Sequence, residues 1–208
     1  MTWIDKLWLG AQVKWAFIKA RGITAPAAAA YVILWVAVTL ASRFSVSALG
    51  LQFVPVGRAG LDTVSVLLML LPAVIVSRCL WSRCPTVEAT RSRPSQPSEL
   101  LWSAVLGLGA TASPLPAVPL LHDSIDPLAF VADWWLLLGV LLVLSGLTAV
   151  PIGVAASFAV IATFSTPNVV PWEANLLYNV DLAAQSAMVG AVLLTAGLLL
   201  VALRRRAA

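Results

Sequence analysis

From Trp134 to Phe164 the chain carries no charged residue. A straight helical crossing of a bilayer needs about 20 apolar residues. This run is too long for one such crossing and short for two. Within it, SGLTAVPIG at 145–153 sets Pro151 between Gly146 and Gly153. Proline removes a helical hydrogen bond and glycine permits a tight reversal, so the run predicts a helical hairpin of two short spans. Composition extends the argument to the whole chain. Only 11% of its 208 residues are charged, where a soluble domain carries about 25%. The mean hydropathy is +0.95. A soluble protein of this size has too much surface to hide so much apolar material. The expected fold is therefore all-α, a polytopic membrane protein.

Other apolar segments fall at Pro26–Ser42, Thr63–Trp81, Leu100–Leu121 and Leu182–Leu203. With the hairpin they give six spans across 26–203, in a single transmembrane domain covering 1–208. Residues 1–22 have another character. Ile4, Leu7, Trp8, Ala11, Trp15 and Ile18 recur at helical spacing, while Asp5, Lys6, Gln12, Lys14 and Lys19 cover the opposite face. A basic amphipathic helix of this kind lies in the membrane interface. Its charges are too spread out for a cleaved signal peptide.

Basic residues crowd cytoplasmic loops, so they test the span count. With six spans, Lys6, Lys14, Lys19, Arg21, Arg78, Arg83, Arg91, Arg93 and Arg204–Arg206 share the cytoplasm, and only Arg43 and Arg58 lie outside. Five spans would move Arg204–Arg206 outside and weaken the bias. The expectation is a multi-pass protein of the cell membrane with both termini cytoplasmic. Its pI of about 9.6 then reflects topology rather than a nucleic-acid partner. Loops 43–62, 122–133 and 165–181 are external, and 82–99 is the main cytoplasmic loop. Asp123, Asp126, Asp133, Glu173 and Asp181 all fall outside on this reading, which leaves no charge at mid-span.

Ionisable residues at mid-depth usually mark intramembrane chemistry. Here the mid-span polar groups are Thr39, Ser65, Thr111, Ser113, Ser145, Thr148, Ser157 and Thr195, which suit helix packing and bonds to their own backbone. Catalytic motifs of the GxSxG and HExxH kinds do not occur, so the chain is not expected to be an enzyme. Cys79 and Cys84 read as inert, since a lone CxxxxC without a nearby histidine is a poor zinc site. His122 with Asp123 and Asp126 reads either as a metal or acid–base group or, more simply, as a solvated loop. Asp133, Trp134 and Trp135 mark a membrane boundary.

Two loops carry more. In the cytoplasmic loop, Pro85 opens a helix-compatible piece, Thr86, Val87, Glu88, Ala89, Thr90 and Arg91, which Pro94 and Pro97 stop. It is either a solvated connector or a docking helix for a cytoplasmic partner. In the external loop TPNVVPWEANLLYNVDLAAQ, residues 166–185, Pro167 and Pro171 break the incoming helix. WEANLLYN at 172–179 is then long enough for two helical turns. Trp172 and Tyr178 sit at the interface, while Glu173, Asn175 and Asn179 bond backbone ends that lipid cannot satisfy. This predicts a short re-entrant or interfacial helix, acting as an outer gate or as a surface anchor.

The order of interfacial helix, two spans, loop with a short helix, three spans, outer polar break and last span resembles the type-2 permease subunits of ATP-binding cassette exporters. CPTVEATRSRP also looks like cytoplasmic-loop sequences of actinobacterial permeases of this kind. The resemblance gives residues 3–20 the role of an elbow helix, 84–93 that of a coupling helix, and 166–180 that of outer re-entrant helices. It implies a hydrophobic or amphipathic cargo, such as a lipid, a peptide or a drug-like compound. It also implies a second membrane subunit, as homodimer or heterodimer. The chain has no GxxxxGK[ST] phosphate loop. It is therefore expected to hold no cofactor, with ATP and magnesium on a separate nucleotide-binding ATPase subunit. Two other readings stay open. One is a non-transporting integral subunit of a respiratory or secretion complex. The other is a membrane enzyme using Glu173, Asp181 or His122 at the outer face.

Overall fold

A computed structural model describes residues 23–42, 63–80, 96–123, 125–166 and 169–207. The amphipathic segment 1–22, the loop 43–62 and most of the loop 82–99 lie outside the described residues. Among those described, the chain is all-helical. The helices are α1 (Ala25–Ala41), α2 (Thr63–Leu80), α3 (Gln96–Ala112), α4 (Pro127–Leu147), α5 (Val150–Ser165) and α6 (Ala183–Ala207). Two stretches, Pro127–Leu147 and Val180–Leu203, are long and apolar enough to cross a membrane. Ala25–Ala41, Val64–Leu80 and Val150–Ser165 are shorter apolar helices.

Side-chain caps set several of the boundaries. The Thr24 hydroxyl accepts from Ala27 N at the start of α1. The Asp126 carboxylate accepts from Leu128 N at 2.7 Å and Ala129 N at 3.2 Å, with Pro127 in the first turn, so α4 starts there. An aspartate cap is worth about 1 kcal/mol, and proline at a helix start forfeits no bond. Because of this cap, α4 begins a full two turns before Trp134, where the apolar run itself begins. It is a full-length helix rather than half of a short hairpin.

The third apolar segment does not continue to Leu121. Pro114, Pro116 and Pro119 end α3 at Ala112, and turns with a 3-10 segment at Val118–Leu120 follow. Pro114 has no N–H to give the Ala110 carbonyl. Trp134 replaces it, its Nε1 donating to Ala110 O at 2.7 Å, and Trp135 Nε1 donates to Thr111 O at 3.1 Å. The two indoles therefore anchor the end of α3 to α4.

The reversal between α4 and α5 falls within the expected stretch 145–153, but its proline and glycine play other parts. It occurs at Thr148 and Ala149, and Pro151 sits in the first turn of α5. Gly153 serves close packing instead of the turn, since a methyl there would come within 2.7 Å of Ser145 N.

Glycines likewise set the tightest contact, between α4 and α6. A methyl on Gly139 would lie 2.8 Å from Leu193 Cβ and Leu194 N. On Gly190 it would lie 2.7 Å from Leu136 N, and on Gly197 2.6 Å from Leu142 Cβ. Gly146 faces Leu200 in the same way. Partner numbers rise together along both helices, so α4 and α6 run parallel. Small residues at these positions let the two backbones approach closely.

Trp134 and Trp135 reach back to the last turn of α3, and Trp35 of α1 packs on Phe130 and Trp134. One end of the bundle thus holds the ends of α3 and α5 and the starts of α4 and α6. The core, centred on α4, includes Trp35, Met69, Phe130, Trp134, Leu138 and Leu141.

Candidate functional site

The polar stretch before α6 folds onto the bundle end where α4 and α6 begin. It is not a two-turn helix. Trp172–Ala174 and Val180–Leu182 are single 3-10 turns, joined by a turn at 176–178. Asparagine side chains replace the missing helical bonds. Asn175 Nδ2 donates to Phe164 O at 3.0 Å, and so bonds a carbonyl in the last turn of α5. Its Oδ1 accepts from Leu177 N at 3.3 Å and Tyr178 N at 3.2 Å. Asn179 Nδ2 donates to Trp172 O at 3.0 Å, and its Oδ1 accepts from Asp181 N at 3.0 Å. Tyr178 OH and Ser165 Oγ are 2.6 Å apart, and Ser186 Oγ of α6 donates to Leu176 O. Buried non-helical backbone needs such internal partners.

Of the five residues read as a gate, the fold therefore brings Asn175, Tyr178 and Asn179 together. All three are buried, at 7–8% exposure. Trp172 is half-buried against the core, and Glu173 is exposed, apart from the asparagines. The asparagine amides bind the loop's own backbone, which makes the group a clip between α5 and α6. Thr86, Val87, Glu88, Ala89, Thr90 and Arg91 lie outside the described residues.

His122 and Asp123 are exposed, and Asp126 is the α4 cap. Among the described residues no three His, Cys, Asp or Glu side chains are grouped to hold a metal. Of the mid-span hydroxyls, Thr39, Thr111, Ser113, Thr148, Ser157 and Thr195 bond to carbonyls of their own helical turns, as expected.

Asp133 is the residue that sequence reasoning misplaced. It lies in the second turn of α4 rather than in an external loop, and it is 2% exposed. Its Oδ2 has no hydrogen-bond partner among the described residues, nor has Trp35 Nε1. Phe130 and Trp134, three before it and one after it, both pack against Trp35, with ring centroids 6.1 and 4.8 Å away. Tyr31 meets the edge of Trp35 at 6.4 Å. A buried carboxylate oxygen and a buried indole N–H thus lack hydrogen-bond partners among the described residues. Leaving such groups unbonded is costly, and ionisable residues among membrane helices commonly hold protons or ions. The signal was present in the sequence. Asp126-Pro127 is a helix-start pattern. Once α4 begins there, Phe130, Asp133, Trp134, Leu137 and Leu141 fall on one helical stripe.

No protein-family model, curated protein or solved structure matches the chain.

Proposed function

We propose that the chain is a six-span membrane protein with cytoplasmic termini, the permease subunit of an ATP-driven exporter of a hydrophobic or amphipathic cargo. The observation that carries the membrane reading is the polarity of the bundle. Asp123, Asp126, Asp133, Glu173 and Asp181 gather where α4 and α6 start, and Arg204–Arg206 close the opposite end of α6. Parallel α4 and α6, with a reversal through α5, fit alternate crossings under the positive-inside rule. The segment 1–22 then lies in the interface as an elbow. The clip at 169–182 closes the outer face between the last two spans, where the permease resemblance calls for an outer break.

ATP and magnesium act on a separate nucleotide-binding subunit, which docks at Thr86–Arg91. A second membrane subunit completes the pathway. The transport reading is tested by purifying the native chain in mild detergent. A nucleotide-binding protein should co-purify, and E88A with R91A should release it. Purification without an ATPase, unchanged by those substitutions, counts against the reading.

A specific observation favours a second reading, that of a non-transporting integral subunit. Asn175 and Asn179 bind the loop backbone and so behave as structural residues rather than as a moving gate. That reading predicts co-purification with redox or secretion components in place of an ATPase.

A further inference from the structure

A lateral groove of about 460 Å³ runs between α3, α4 and α6. It follows α3 from Ala104 to Thr111, roughly 10 Å of helix at 1.5 Å per residue. Its floor is shaped by close approach, since a methyl on Gly107 would lie 3.0 Å from Leu198 Cδ1. Its rim is open, with Leu108 72% exposed.

The polar side chains of the lining are already bonded inside the protein. Thr111 Oγ1 donates to Gly107 O at 2.7 Å, Thr195 Oγ1 to Ala191 O at 2.8 Å, and Trp135 Nε1 to Thr111 O at 3.1 Å. The groove therefore presents methyl, methylene and indole carbon surfaces. A ligand there gains dispersion contacts on three sides and finds no side-chain donor left for a polar group. Its volume lies in the range of about 300–1,000 Å³ usual for small-molecule sites.

We infer that this groove, which follows α6 from Ala191 to Leu198 near the middle of its apolar stretch, is a binding site for the acyl chain of a membrane lipid. The inference rests on the membrane reading above and is independent of transport. Lipid enters sideways past Leu108, and the site is separate from the clip at 169–182.

The test uses the full chain in nanodiscs of phosphatidylcholine containing a small fraction of phosphatidylcholine with a mid-chain diazirine. After photolysis, adducts are mapped by mass spectrometry. Val32 and Ile33 of α1, also exposed and apolar, serve as the reference face. Labelling at Leu108 and Thr195 should exceed that at α1. T195W, which fills the groove, should lower labelling at Leu108 to the α1 level and leave α1 unchanged. The unmodified chain carries the test if T195W fails to fold. Groove labelling equal to or below that of α1 overturns the inference, as does labelling that persists in folded T195W. Absence of lipid adducts on α1 itself would instead refute the membrane reading.

Discussion

α4 and α6 are both apolar along their length, yet 67% of the apolar window in α4 is buried inside the molecule and 28% of that in the α6 stretch. In a soluble protein such a difference would show as a polar face on the less buried helix. Here it does not, as expected if the proposed bilayer accepts the same side chains as the core. What separates the two faces of α6 is residue size. Gly190 and Gly197 meet α4 backbone or Cβ atoms, while Met188, Val192 and Leu199 point outward. Contact and apolarity are thus decoupled, and glycine position is the better guide to where α6 is held.

That contrast can be broken most strongly at Gly139. G139L forces a branched side chain against the α6 backbone and should cost about 3 kcal/mol, at the upper end of overpacking penalties. Thermal unfolding in detergent measures it. M188L on the outward face is expected to fall within about 0.5 kcal/mol of the parent. Equal losses in the two variants would mean that the helix pair is not locked by its glycines.

A smaller effect is expected at the clip. N175A leaves the Phe164 carbonyl and two backbone N–H groups without their side-chain partner, and should cost about 2 kcal/mol. Exposed Glu173 gives the comparison, with E173Q changing stability by less than about 0.5 kcal/mol. If E173Q proves as damaging as N175A, the clip is wrongly assigned. W134F removes one buried bond to Ala110 O and should cost about 1 kcal/mol by the same assay.

Asp133 tests the sign of an effect. An unpartnered buried carboxyl replaced by an apolar side chain of similar shape is nearly neutral or stabilising. D133L should therefore unfold no earlier than the parent. If it unfolds markedly earlier, the carboxyl has a structural partner that this account lacks.

Apolar runs bounded by polar loops gave both ends of α1 and α2 and the start of α6 to within a residue, while α6 runs four residues past its expected end at Leu203. Periodicity and hydropathy carry that much. The errors have local causes. Proline clustering stopped α3 at Ala112, although its hydropathy continues past that point. Capping by Asp126 started α4 before its apolar run and carried Asp133 into the bundle. Gly153 looked like a hinge but is a contact, because sequence shows a missing side chain and not the neighbour that requires it. At the clip, the asparagines were legible as backbone partners. Which carbonyls they would reach was not, because Phe164 and Trp172 are brought to them only by the fold.

The membrane orientation is the central claim, and cysteine accessibility tests it directly. In a background with Cys79 and Cys84 changed to serine, E173C and R206C would be probed in intact cells with a membrane-impermeant maleimide. E173C should be labelled from outside, and R206C only after the membrane is opened. Labelling of both from outside, or of R206C alone, would contradict it.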